Sequence, residues 1–416
     1  MKILTVDIGT GTQDIFLYDS RLDIENGFKL IVPSPTMMIH RRVKQALETR
    51  TPLLLTGHQM GGGPSAWAIE EAARAGIPVY MTPEAATTLN DELDKVQALG
   101  IEIVSEDEAQ GLASKVAQFD LKDFDFPAIS KTFEEYGISL HDLEAIAVAV
   151  FDHGSAPAGV SDRQFRFDYL DERIRSRNSL SSFAFLSSDI PKIMTRLQSV
   201  ADSAGKLPCP LIVMDTAPAA VLGAGFDPVV TTRKQKIICN VGNFHTLAFR
   251  LGEKGIEGVF EHHTGEIDLG KLESLLLRLA DSSLKHEDVF NDMGHGALMY
   301  SQEKFEFGKD DFDVVVTGPR RSIFRTMDNE SSTMNRPSST LSPGAHLPRT
   351  QVPGSAGVVN GHLRPYFATP FGDMMIAGCF GLLAATAEVM PNVAETIQGS
   401  MRGAQGHGVA PWDVPA

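Results

Sequence analysis

The chain has 416 residues, 43% hydrophobic and 22% charged, with a mean hydropathy of −0.06, the proportions of a globular protein rather than a disordered or fibrous one. Lys and Arg number 37 against 53 Asp and Glu, a formal net charge of −16, which argues against a nucleic-acid sheath or a site on anionic lipid. Cys209, Cys239 and Cys379 form no CxxC pair or CxxxCxxC triplet, which excludes a disulfide framework, a zinc ribbon and a sequence-local iron–sulfur motif.

The opening MKILTVDIGTG reaches Asp7 too soon for the apolar core of a signal peptide. The longest apolar runs, AIAVAVF and MMIAGCFGLLAA, fall short of the ~20 residues of a membrane span, so a cytoplasmic protein is expected. ILTVDIG, DIFLYD and FKLIVPS read as strand, tight turn, strand, turn, strand. A helix over MMIHRRVKQALE and a strand over PLLLTG follow. The Gly-rich HQMGGGPS then leads into the helix AWAIEEAARAG. PVYMT and IEIVS are short strands, and LEAIAVAVF is a buried strand stopped by the DHG of Asp152 to Gly154. From about Ser155 to Ser188 the chain is charged and aromatic without a clean period. A helix near Ile190 to Ala204, the strand PLIVMD and the small-residue helix TAPAAVLGAG complete this half.

The opening order then recurs about 230 residues further on: KIICNVG, FHTLAFRL and GIEGVFEHH, then the amphipathic helix DLGKLESLLLRLADSSL and the strand DFDVVV running into TGPRR. The expected organisation is α/β, with one lobe over 1–228 carrying insertions and a second over 229–391. Residues 329–361, rich in Ser, Pro, Gly and Thr, are expected to be a disordered insertion, and 392–416 a flexible tail. PYFATPFGDMMIAGCFGLLAATAEVM resumes folded sequence as a Gly- and Ala-rich helix suited to close packing on a sheet.

Three turns carry the chemistry. In VDIGTGTQD, Gly9 and Gly11 leave the backbone open to a phosphate, Thr10 and Thr12 add hydroxyl donors, and Asp7 and Asp14 offer hard oxygens to Mg²⁺. In CNVGNFHT, Gly242, Asn243, His245 and Thr246 form a candidate facing cradle, with Asn240 standing where Asp7 stands in the first lobe. In VVVTGPRR, the turn of Thr317, Gly318 and Pro319 ends a strand where an adenine or ribose can lie, and Arg320 and Arg321 are candidate phosphate partners. Beyond these, Asp152 and His153 of FDHG are candidate catalytic groups, a base and its partner, against the alternative of a capped turn. His58, His153, His262 and His263 are candidate metal ligands, although His262 and His263, adjacent on a strand, must point to opposite faces. Gly61, Gly63 and Ala66 before a helix, with Glu84 further on, form a rival dinucleotide fingerprint, but the strand ends too far upstream for that fold's immediate turn.

Taken in order, the three turns resemble the phosphate-1, phosphate-2 and adenosine motifs of the actin, hexokinase and acetate kinase (ASKHA) superfold. VDIGTGTQDIFLYD, TGHQMGGGP, FDHG, EHHTGEID, TGPRR and PYFATPFGDMMIAGCFGLL further resemble a prokaryotic family often labelled as pyruvate formate-lyase activating enzymes. The resemblance covers nearly all the chain apart from Asn329 to Gly361. It implies two RNase H-like lobes around a central cleft that holds ATP and Mg²⁺. The implied activity is that of a small-molecule phosphotransferase or an ATPase; the alternatives are an ATP-driven activator of a partner enzyme and a non-catalytic nucleotide sensor. The glycyl-radical chemistry in the label needs a cysteine cluster that this sequence lacks.

Overall fold

Alternation and turn chemistry set the first sheet. In the computed structural model, which describes residues 1–325 and 363–403 together with Asp413, β1 (Lys2–Ile8) turns through Gly9–Gly11 into β2 (Thr12–Asp19) and on to β3 (Phe28–Pro33), all antiparallel. An excursion follows. The helix Pro35–Glu48 starts at Ser34, whose hydroxyl accepts from Met37 N with Pro35 in the first turn. It leads into a separate parallel sheet of β4 (Leu53–Gly57), β5 (Val79–Met81), β6 (Glu102–Ile103) and β7 (Ala117–Leu121), in the order β6-β5-β4-β7 with its own apolar core. β8 (Leu143–Val150) then returns parallel to β1, and β9 (Ala184–Leu186) and β10 (Leu211–Asp215) complete the order β3-β2-β1-β8-β10-β9. β8 is buried along almost its whole length, as a strand covered on both faces must be.

The second sheet repeats this scheme. β11 (Lys236–Val241), β12 (His245–Gly252) and β13 (Gly255–His263) form an antiparallel meander, joined by β14 (Gly296–Met299), β15 (Val314–Thr317) and β16 (Pro365–Phe367) in the order β14-β13-β12-β11-β15-β16. The segment β3-β2-β1-β8 therefore matches β13-β12-β11-β15, with the last strand parallel to the first in each case. That shared order makes the two lobes related, as the recurrence in the sequence implies, and RNase H-like, as the superfold resemblance implies.

One core joins the two sheets through the helix Thr216–Ala224, bringing Leu4, Val6 and Ile15 together with Ile238, Phe249 and Val315. The far face of the second sheet is covered by Leu269–Ala280. The far face of the first is covered by the last two helices among the described residues, Ala377–Val389 and Pro391–Met401, which contact Ile3, Phe16 and Ala147. These helices follow the second sheet in sequence but close the first lobe, and Phe380 stacks edge-on against Phe16 at 5.3 Å. Glycine makes the contact possible: a Cβ on Gly223 or Gly381 would collide with the backbone of the opposite helix. The tail expected to be flexible from 392 is helical as far as Met401, with Val393 and Ile397 buried and Ser400 Oγ 2.6 Å from the hydroxyl of Tyr18. The expected insertion over 329–361 lies outside the described residues. The stretch after Ser155, read as aperiodic, contains the helix Asp162–Ser176. Its inward face holds Arg166 among Phe167, Tyr169, Leu170 and Ile174, and the buried charge is what spoils the apolar pattern. Among the described residues no helix is long and apolar enough to cross a membrane.

Candidate functional site

A cleft of about 830 Å³ runs between the lobes, within the range of small-molecule sites. It is lined by both hairpin turns, the end of β8, the Gly-rich loop after β4, and Thr317 to Pro319. The two turns close in the same way: Gly9 N donates to Thr12 O at 2.9 Å, and Gly242 N donates to His245 O at 3.0 Å. They also meet across the cleft, because a Cβ on Gly11 would lie 2.6 Å from Nδ2 of Asn243. At the third turn Gly318 has φ +97, and a side chain there would collide with Oδ1 of Asn240.

Asp7 and Asp14 face one another in the β1–β2 register. Asp7 Oδ1 accepts from the Thr216 hydroxyl at 2.6 Å, while Oδ1 of Asp14 is buried with no hydrogen-bond partner. Burial, with a smaller contribution from Asp215, pushes the Asp7 carboxyl up to about 6. Burial and the neighbouring Asp7 push Asp14 up to about 7. Two carboxylates, one with an orphaned oxygen, beneath a Gly/Thr turn are a hard-oxygen donor set, the chemistry Mg²⁺ takes. The small-residue turns leave room for phosphate oxygens above it, so the residues present fit a magnesium nucleotide.

Asp152 behaves differently from a free base. Its Oδ1 accepts from Gly154 N at 2.8 Å and its Oδ2 from Leu197 N at 2.9 Å, with the side chain buried. Burial raises its carboxyl to about 6 against the pull of those amides, and the carboxylate ties the end of β8 to the helix Thr195–Ser203. It caps a turn, the alternative role read from the sequence. Thr246, expected in the second cradle, is fully buried, with its hydroxyl 2.9 Å from that of Thr264. The two-residue period of a strand explains this: with His245 turned to the cleft, Thr246 must face away. Arg320 is exposed and lies outside the residues lining the cleft.

His58 pairs with Glu84 at 2.6 Å, and Gly61 N donates to both oxygens of Asp123, so the rival dinucleotide loop spends its acid and an amide on protein partners. His262 turns inward, its Nε2 3.3 Å from Asp292, while His263 lines the cleft, as alternation requires. His153 joins a group that the sequence did not reveal. Its Nε2 lies 3.0 Å from Nε2 of His295, and His153, His245 and His295 offer ligand atoms all within 4.8 Å of one another. Phe151 stacks on His245 at 4.0 Å. Burial lowers the pKa of His153 to about 3 and holds those of His245 and His295 well below the ordinary histidine range.

Behind the rings lies a buried ion network. Arg166 donates to Asp215 at 2.6 Å and to Glu261 at 2.8 Å, and its guanidinium lies 3.8 Å from the centre of the Phe151 ring. Asp215 also caps the helix Thr216–Ala224 through Ala217 N, and Glu261 Oε1 lies 3.5 Å from Nδ1 of His295. Arg166, Asp215 and His295 escape the sequence reading because the contacts Arg166–Asp215, Arg166–Glu261 and His153–His295 join residues 49, 95 and 142 positions apart. Only the interruption of an apolar helix face by Arg166 hinted at them.

A sequence model of the family described as "Putative pyruvate format-lyase activating enzyme (DUF1786)" matches residues 60–323. No curated protein matches the chain. Among solved structures, the ethanolamine utilization protein EutJ from Carboxydothermus hydrogenoformans is similar over 92% of this chain and 89% of that one, at 11% identity and a TM-score of 0.30. An exopolyphosphatase-like protein aligns over 77% of this chain and 66% of its own, at 8% identity and a TM-score of 0.26. The ROK hexokinase from Thermus thermophilus aligns over 62% of this chain, at 11% identity and a TM-score of 0.22, and this chain spans only 47% of its length.

Proposed function

The chain belongs to the family of that description, and from that premise we propose that it binds ATP with Mg²⁺ between its lobes and acts on the terminal phosphate as an ATPase. The observation that carries the reading is the Asp7–Asp14 pair, two half-buried acids in register under one glycine turn and faced by a second. Two such carboxylates repel each other, and a divalent cation between them turns that cost into attraction. Bound Mg²⁺ would supply charge neutralisation for the phosphates.

The protein's own groups divide the remaining work. Thr216 fixes the rotamer of Asp7 by donating to Oδ1. Gly378 brings the helix Ala377–Val389 so close that a Cβ there would strike the Asp7 carboxylate, which confines that carboxylate to one position. The Gly9–Thr12 and Gly242–His245 turns present backbone from both lobes, so binding favours lobe closure. Thr317 to Pro319 offer backbone and a small turn to the base or ribose. With both oxygens of Asp152 engaged, the carboxylate expected to deprotonate a substrate hydroxyl is occupied, which favours ATP hydrolysis coupled to lobe motion over a small-molecule kinase.

The family description points to radical-enzyme activation, but the cysteines do not fit an iron–sulfur cluster. All three are free and contribute to no metal-ligand group among the described residues, and Cys239 and Cys379 are wholly buried. The test is a thermal-shift panel of nucleotides with and without Mg²⁺. ATP or ADP with Mg²⁺ at a hundred times Kd should stabilise the chain by about 2.7 kcal/mol. No shift with any nucleotide overturns the proposal.

A further inference from the structure

The phosphate site leaves one constellation in the cleft unexplained. His153 follows β8 of the first lobe, while His245 begins β12 and His295 immediately precedes β14 of the second, so three imidazoles from two lobes converge at one point. Their polar atoms are poorly served. His245 Nε2 and His295 Nδ1 are buried without a hydrogen-bond partner, and His295 is completely shielded from solvent. Nε2 of His153 and Nε2 of His295 face each other at 3.0 Å, an arrangement in which at most one nitrogen can donate to the other. Buried polar atoms without partners are rare because each forfeits the hydrogen bonds it would make to water. His245 and the facing Nε2 atoms of His153 and His295 converge on one spot, while His295 Nδ1, at another edge of its ring, looks toward Glu261.

We infer that His153, His245 and His295 form a binding site for a first-row divalent transition cation of the zinc type, distinct from the Asp7–Asp14 magnesium site, with an open coordination position toward the cleft. Imidazole nitrogens suit zinc, cobalt and nickel and are poor ligands for Mg²⁺, which prefers oxygen. Ligand nitrogens about 2.0–2.1 Å from a tetrahedral zinc lie roughly 3.3 Å from each other, close to the 3.0 Å between His153 and His295. The 4.8 Å limit on the group then asks only for a small inward rotation of a ring.

The surroundings repeat the pattern of histidine metal sites. A ligating imidazole ordinarily gives its second nitrogen to a carboxylate, which fixes its tautomer and raises its basicity. Glu261 Oε1 lies 3.5 Å from His295 Nδ1, without a formed hydrogen bond but within reach of one after a small ring shift, and Arg166 holds Glu261 through two hydrogen bonds. Phe151, stacked on His245, fixes the orientation of that ring. The Arg166 charge is matched by Asp215 and Glu261, so it does not stand uncompensated beside a cation. Three protein ligands and a side open to the cleft, where His153 and His245 are lining residues, are the mark of a site that binds a further ligand rather than a closed structural one. Because the ligands come from both lobes, the cation would also bridge them.

The experiment is a titration of untagged, chelator-treated full-length protein with Co²⁺ in the absence of nucleotide, read by visible d–d absorption and by metal content after dialysis. One Co²⁺ per chain with a tetrahedral spectrum, displaced by Zn²⁺ but not by excess Mg²⁺, is expected. His153→Ala and His245→Ala should each weaken Co²⁺ binding at least tenfold, with far-UV circular dichroism unchanged. A featureless wild-type spectrum with no retained metal overturns the inference and needs no variant. Displacement by Mg²⁺ also overturns it, because the ion would then sit on oxygen ligands, as does undiminished binding in the folded double variant. The nucleotide panel is measured separately, so either reading can fail without the other.

Discussion

The hairpin turns of the two lobes share a backbone and differ in chemistry. Each spans four residues, closed by an amide of its first glycine, Gly9 or Gly242, to the carbonyl of the fourth residue, Thr12 or His245. In the strands beside them Asp7 faces Asp14, whereas Asn240 faces Leu247. One turn gathers negative charge and hydroxyls; the other gathers an amide and imidazoles. Topology was kept while the side chains were divided between a hard-oxygen site and a nitrogen site, because the fold needs only the glycines and the register. The two halves meet on Arg166, whose partners are Asp215, beside Asp7, and Glu261, beside His295.

Breaking that joint should have the largest effect. Arg166→Ala leaves Asp215 and Glu261 buried and unpaired, and removing one partner of a buried ion network costs about 3–5 kcal/mol. Urea unfolding should show this as a lower midpoint with unchanged slope. A loss below 1 kcal/mol would mean that the two halves are independent.

The contrast between Asp7 and Asn240 sharpens next through exchange. Asp7→Asn keeps the hairpin, since the amide is nearly isosteric, but should weaken the Mg²⁺-dependent part of nucleotide affinity at least tenfold, or about 1.4 kcal/mol. Nucleotide alone should bind as well or better. Asn240→Asp should create no comparable Mg²⁺ dependence, because the residue opposite it is Leu247. Calorimetric titration with and without Mg²⁺ on both variants decides. An unchanged Mg²⁺ increment in Asp7→Asn would reduce Asp7 to a turn residue.

A smaller effect lies in the pH dependence of the unliganded protein. The Asp7 and Asp14 carboxyls, raised from 3.8 to about 6 and about 7, hold protons in the folded chain that the unfolded chain has already released. Stability contributed by the pair is therefore fully present below about pH 4 and is lost as the pH rises through 6 to 7. Asp14→Asn should flatten the upper part of that fall and raise the Tm at pH 8 by a few degrees, at about 2–4 °C per kcal/mol. Differential scanning calorimetry across pH 5 to 8 measures it, and a steeper fall in the variant would contradict the assignment.

The smallest change is expected at Thr246. Thr246→Val removes a buried hydroxyl contact with Thr264 and should cost about 1 kcal/mol of stability, while nucleotide affinity stays within about twofold. A large affinity loss with an intact fold would return Thr246 to the cleft.

These comparisons show where the sequence was readable. The Asp7 turn was legible because it is local: glycine, threonine and flanking strand alternation lie within nine residues, Val6 to Asp14. The second turn is legible by analogy, but Thr246, one residue past it in β12, faces the core, because alternation from the cleft-facing His245 turns it away. Asp152 was placed correctly at the end of a strand, but its role depended on Leu197 N, which no spacing in FDHG announces.

By itself the sequence determined the elements whose signals are short-range: the repeated strand-turn-strand pattern, the glycine turns, the capped amphipathic helices and the absence of a cysteine cluster motif. Glycine conformation and side-chain alternation act over a few residues, so they are written where they operate. Only the tertiary structure decided that the C-terminal helices close the first lobe, through contacts such as Cys379 Sγ to Asp14 O across 365 residues. It alone decided that Arg166 lies buried between Asp215 and Glu261, and that histidines 153, 245 and 295 share one point. Burial and electrostatic pairing depend on distance in space, and a linear chain records that distance only after its sheets have packed.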